Sequence, residues 1–197
     1  MALFIDIKNQ GKSTRVIPNV LNRVYKFAAF EQEVLTFRVT ELNGKEVEKR
    51  VNVRSELNQA WSFVTQRAAR HKPCNEYFKT LRRKKTLQQV LDEGDIVLHC
   101  LLPKEGHTFE DLPDADTAGR DIAVNPLRFL DMPIVLGPIL IHELAHVAGA
   151  TTNPRDKDAI AAERALKHCL CAAQFRPGAL GAIQKIELPG YEDSRLA

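Results

Sequence analysis

No stretch of this chain is apolar for long enough to cross a membrane. Its most hydrophobic run, Met132 to Ile141, falls well short of the about 20 residues a spanning helix needs, so no membrane insertion is expected. No secretory signal is expected either. The segment Met1 to Lys8 is short, and Asp6, Lys8 and Asn9 interrupt any apolar core. The expected location is therefore cytoplasmic, or outside by a route that needs no signal peptide. An excess of charge of one sign is lacking too: 28 basic residues face 25 acidic ones, for a net charge of +3. That balance gives no footing for a nucleic-acid partner. Cysteine is scarce, with Cys74, Cys100, Cys169 and Cys171 and no C-x-x-C pair. A separate structural zinc site built on paired cysteines is thereby excluded. Cys169 and Cys171, at i and i+2 on a helix, point apart and cannot bridge each other easily. Reduced core thiols are the default, with a bridge from Cys74 or Cys100 to the second helix as the alternative in an oxidising compartment. There are no internal repeats and no low-complexity segments.

What remains is an ordinary globular composition, 44% apolar and 27% charged over 197 residues, enough for one domain with a sizeable core. Leu3 to Ile7 reads as a strand. Leu35, Phe37 and Val39 alternate, Asn43-Gly44 makes a turn, and Val47, Val51 and Val53 return, which predicts a hairpin over 34–53. These first 54 residues read either as an added strand-rich subdomain or as part of the same sheet as the rest. Ser55 is expected to cap a helix running to about Arg70, with Leu57, Trp61, Val64 and Ala68 on its buried face. Leu87 to Leu91 reads as a short helix stopped at Gly94, and Ile96 to Leu102 as a strand ended by Pro103. Lys104 to Gly119 reads as a loop on a cleft rim, and Asp121 to Asn125 as a strand, either at a sheet edge or in the core. The run Arg82-Arg83-Lys84-Lys85 is expected on a solvated face, with an anionic partner as the alternative. The tail from Gly178 onward is irregular and suited to covering the core or docking a protein partner.

The most informative residues are His142-Glu143-Leu144-Ala145-His146. On a helix, residues i and i+4 share a face, so both imidazoles point the same way. Two such nitrogens supply half of a tetrahedral zinc site, and the intervening glutamate can act as general base. Gly137-Pro138 reads as the helix start and Gly149 as its stop. Ile139, Leu140, Ile141, Leu144, Val147 and Ala148 supply apolar cover, so the helix is expected to be buried.

A catalytic zinc site usually takes a third protein ligand. A second helix is predicted over about Asp158 to Phe175, with Ile160, Leu166, Leu170 and Ala173 on its apolar stripe. Glu163 falls inside that stripe, and a carboxylate on an inward face needs a cation. Glu163 is therefore the candidate third ligand, with an ion pair to Arg120, Arg128 or Arg164 as the alternative. Asp156 and Asp158 sit where capping carboxylates belong. His168 lies five residues on and points round the helix.

This arrangement resembles the zincin metallopeptidases, most closely their gluzincin branch, over roughly residues 121 to 175. The resemblance implies an α+β fold with a small mixed sheet, an active-site helix, and a second, C-terminal helix bearing a glutamate ligand. His142 and His146 resemble the paired zinc ligands, Glu143 the general base, and Glu163 the downstream ligand. Thr152 stands where the metzincin branch has a third histidine, and no aspzincin signature is present. The resemblance further implies an upstream edge strand that pairs with substrate, for which 121–125 is the candidate, and an oxyanion-stabilising tyrosine or histidine, for which Tyr191 and His107 qualify by position.

The expected function is that of a zinc metallopeptidase with one catalytic Zn²⁺ and a peptide or protein substrate. Two alternatives stand beside it. One is a zinc-binding interaction module whose scaffold no longer cleaves; the other is an exported effector or toxin peptidase.

Overall fold

The larger of two sheets separates two apolar clusters, one packed under a helical layer and one under the smaller sheet. A computed structural model describes residues 5–6, 18–21, 23–30, 33–40, 44–130, 133–151, 160–169 and 186–187. The larger sheet is mixed. Its strands are β1 (Ile5–Asp6), β2 (Tyr25–Ala28), β5 (Val97–Pro103), β6 (Ala115–Ala118) and β7 (Asp121–Val124). β1 and β2 both pair antiparallel with β5, β5 runs parallel to β7, and β6 closes the order antiparallel to β7. The architecture is α+β.

Alternation along β5 and β7 explains the layering. Leu98, Cys100, Ile122 and Val124 face a core shared with the helices, while Leu101 and Ala123 face the other way. On that second face lies the hairpin of β3 (Val34–Thr40) and β4 (Glu46–Asn52), paired as the sequence pattern predicts, with Leu35 opposite Val51 and Phe37 opposite Lys49. A short strand, β8 (Ile186–Glu187), pairs with β3. Phe37 is fully buried against Tyr25, Phe27 and Leu101, a burial that contributes about 2–3 kcal/mol. The hairpin thus forms a sheet of its own and shares the core of the larger one.

The helical layer begins with α1 (Val53–Ser62), which continues through a π turn (Phe63–Arg67) and a 3-10 turn (Ala68–Arg70). Asn52, rather than the expected Ser55, caps it: the Asn52 side chain accepts from the Ser55 backbone N–H at 2.8 Å, satisfying a donor the helix leaves open. α2 (Lys72–Thr80) and α3 (Leu87–Asp92) follow, α3 with a reciprocal capping box between Thr86 and Gln89. α4 (Pro133–Val147) carries the H-E-x-x-H run, and α5 (Ala161–His168) packs on it.

Three expectations are corrected here and one open alternative is settled. Gly137-Pro138 lies inside α4 rather than at its start. Packing accounts for the glycine, because a Cβ there would sit 2.8 Å from the Phe63 ring. The strand at 121–125 is β7, buried along its length between β5 and β6, so it is a core strand. The edge is β6, inside the segment read as a loop. It forms a tight hairpin with β7 through Gly119, whose φ of +68° suits the turn. Finally, the buried face of α5 is Ala161, Ala162, Ala165 and Cys169, while Ile160 is exposed. Small side chains let α5 lie close against its neighbours, which a stripe of leucine and isoleucine would prevent. Its described extent, Ala161–His168, is shorter than the expected 158–175, and Leu170, Cys171 and Ala173 lie outside the described residues.

Cys74 of α2 and Cys169, just past α5, form a disulfide, while Cys100 is a buried free thiol. The reduced default is thus replaced for this pair by the alternative bridge to the second helix. No described helix is long and apolar enough to cross a membrane.

Candidate metal centre

α4 is apolar on nearly every face, and Leu140, Ile141, Leu144 and Ala145 are fully buried. Its end is set by Gly149. With φ at +97°, Gly149 donates its N–H to the His146 carbonyl, and Ala150 donates to the Ala145 carbonyl, both at 2.9 Å. This pair of bonds is the Schellman arrangement that ends many helices. It also turns the Ala150 carbonyl back toward the helix, where it accepts from His146 Nδ1 at 3.1 Å. A carbonyl can only accept, so Nδ1 carries the proton and the Nε2 of the neutral ring offers its lone pair.

That lone pair faces His142. The two Nε2 atoms are 3.1 Å apart, with the rings edge to face at 4.8 Å between centroids. At that distance His142 Nε2 donates a hydrogen bond to His146 Nε2, and the separation is close to the about 3.3 Å between two nitrogens bound at tetrahedral zinc distances. Burial holds the His142 pKa below the usual histidine value, and the neighbouring His146 adds to this; the carboxylates of Glu163 and Asp114 act in the opposite sense.

Glu143 is only 5% exposed. Burial pushes its carboxyl pKa up to about 7, with Asp116 and Asp114 adding to the rise. One bond works against that rise: the Thr117 hydroxyl donates to Glu143 Oε2 at 2.7 Å. Thr117 belongs to the edge strand β6. Asp116 beside it accepts from the Tyr25 hydroxyl at 2.8 Å, which anchors the strand end.

His142, Glu143 and Glu163 line one cleft of about 300 Å³, together with Asp114, Ala115 and Leu166. Glu163 is thus across from His142, but its side chain is exposed, and its apolar-stripe placement does not hold. Among the described residues, no three His, Cys, Asp or Glu side chains converge closely enough to cage a metal ion. The geometry brings His142 and His146 into contact, places His142 and Glu143 on the cleft lining, from which His146 is absent, and leaves Glu163 exposed at the rim.

The other candidates fall elsewhere. The His168 ring stacks on Tyr77 at 4.6 Å between centroids, and its carbonyl accepts from His71 Nδ1 at 3.0 Å. His107 is absent from the cleft lining. Asp156, Asp158, Thr152 and Tyr191 lie outside the described residues. Of the arginines considered as partners for Glu163, Arg120 holds the Val90 and Gly94 carbonyls and reaches Glu93, and Arg128 meets Asp114. Arg164 opens onto a different cavity.

Sequence reasoning missed Thr117 and Asp114. The turn glycine at 119 between two short runs was the available signal, and Ala-Asp-Thr-Ala is too poor in β-branched residues to announce a strand. Comparison with family models, curated proteins and solved structures finds no match to this chain.

Proposed function

We propose that this chain is a zinc-dependent metallopeptidase of the zincin kind. The observation that carries the reading is the approach of His146 Nε2 to His142 Nε2 at 3.1 Å, with His142 and the buried carboxyl of Glu143 both lining one cleft. His142, His146 and Glu163 would hold the metal. Zinc bound there supplies a Lewis acid that polarises a peptide carbonyl and acidifies water. Glu143 takes a proton from the attacking water and returns it to the departing amine. Thr117 keeps the Glu143 carboxylate oriented, and the Ala150 carbonyl keeps His146 in the ligating tautomer. Among the described residues no strand pairs with the outer side of β6, so an extended peptide can add there beside the cleft.

The test joins metal analysis to turnover. Protein purified without added metal or chelator is expected to carry close to one zinc per chain and to cleave a broad peptide library. Glu143→Gln is expected to keep the zinc and lower turnover by about 10²–10⁴-fold. Full activity in a clean Glu143→Gln preparation would sink the mechanism.

The exposed Glu163 favours a second reading, a zinc-binding module without catalysis, built on the two histidines alone. It requires zinc content to be indifferent to Glu163→Ala and the peptide library to stay intact.

A further inference from the structure

A second cavity, of about 960 Å³, opens beyond the C-terminal end of α4. Three arginines line it: Arg82 and Arg83 from the turn after α2, and Arg164 from α5. Among the described residues the lining contains no carboxylate, and none of the three arginines forms an ion pair. Elsewhere Arg23, Arg54, Arg120 and Arg128 each meet an acidic side chain.

The fold holds this like-charged group in place. The Arg83 N–H donates to the Ala148 carbonyl at 3.1 Å, docking the turn on the end of α4. A Cβ on Gly149 would lie 2.9 Å from Arg82 Cβ, so the two backbones meet as closely as glycine allows. Lys84 closes the turn at φ +53°, a conformation uncommon for a residue with a side chain, and donates to the Leu81 carbonyl at 2.8 Å. Lys85 turns away to Glu93. Arg82 and Arg83 follow the C-terminus of α2 and dock on that of α4, where a cation is favoured; Arg164 sits in the first turns of α5, where a cation is disfavoured, so helix electrostatics leaves it unexplained.

We propose that this cavity binds a small polyanion bearing two or more closely spaced phosphate groups. Guanidinium forks match phosphate oxygens in pairs. Three forks around one space of this size call for more than a single phosphate group. The site stands apart from the peptidase reading, because binding there needs neither metal nor turnover.

Titration calorimetry of the full chain with tripolyphosphate at 150 mM NaCl tests it. The expected result is saturable binding at one site per chain, weakening as salt rises. Arg82→Ala and Arg164→Ala are each expected to weaken binding about tenfold, and Arg83→Lys, which keeps charge but loses the fork, by several-fold. These side chains are exposed, and circular dichroism should confirm unchanged folding. No saturable binding, equal affinity in the wild type and the Arg82→Ala/Arg164→Ala double variant, or citrate and sulfate bound as tightly as tripolyphosphate would each overturn the proposal.

Discussion

Two cavities flank the α4–α5 pair, and they carry opposite charge. One gathers His142, Glu143, Glu163 and Asp114 in about 300 Å³; the other gathers Arg82, Arg83 and Arg164 in about 960 Å³. Neighbouring residues of α5 divide between them, Glu163 lining the first and Arg164 the second, since successive helical positions point about 100° apart. The acidic cleft is centred on a local motif on a buried helix and completed by Asp114 and Glu163 from other segments. The basic cavity joins residues 77–83 to the distant stretch that ends α4 and begins α5. Local spacing is enough to announce the first kind of site, and only packing creates the second.

The largest effect that would sharpen this contrast is on the metal. If α5 completes the acidic cleft, Glu163→Ala should sharply reduce the zinc retained, read by elemental analysis, and should leave tripolyphosphate binding in place. Zinc retained in that variant would redirect the search for a third ligand toward Asp114, which lines the same cleft.

The disulfide is next. Cys74–Cys169 spans 95 residues and ties the end of α5 to α2. Its removal by reduction, or by Cys74→Ser with Cys169→Ser, is expected to cost about 2–5 kcal/mol in urea unfolding. Because α2 leads into the Arg82–Arg83 turn and α5 carries Glu163 and Arg164, both cavities should weaken together. An unchanged unfolding midpoint would separate α5 from this anchor.

The third prediction concerns the buried acid. In chelated protein the Glu143 pKa rises from 4.5 to about 7. The folded state then holds a proton that the unfolded state has released. Stability is full below pH 4.5 and falls as pH rises to about 7, by about 3 kcal/mol. Glu143→Gln should flatten that slope, and a slope unaltered by the substitution would place the titrating group elsewhere.

The smallest expected effect is at Gly149, where the two regions touch. Gly149→Ala must bear a φ of +97° and a contact of 2.9 Å with Arg82. A loss of about 1–3 kcal/mol is expected by thermal or chemical denaturation. Wild-type stability in this variant would mean that the Arg82–Arg83 turn can yield without cost.

Much of the fold was legible where patterning is strong and local. The β3–β4 hairpin follows from the alternation of Leu35, Phe37 and Val39, with Leu35 opposite Val51 and Val39 opposite Val47, and the helical run to Arg70 follows from Leu57, Val64 and Ala68. Legibility failed where tertiary contact overrides propensity. β6 becomes a strand because β7 offers it a partner, and Gly137-Pro138 sits inside α4 because Phe63 needs the space. α5 buries alanines because its neighbours lie close, which rotates Glu163 out to the cleft rim.

The amino-acid sequence by itself determined that His142, Glu143 and His146 share one face of a buried helix, because i and i+4 coincide on any α-helix whatever surrounds it. Tertiary structure alone decided that Thr117 holds the Glu143 carboxylate and that Arg82, Arg83 and Arg164 line one cavity. Those contacts join segments far apart in the chain, and no local period encodes them.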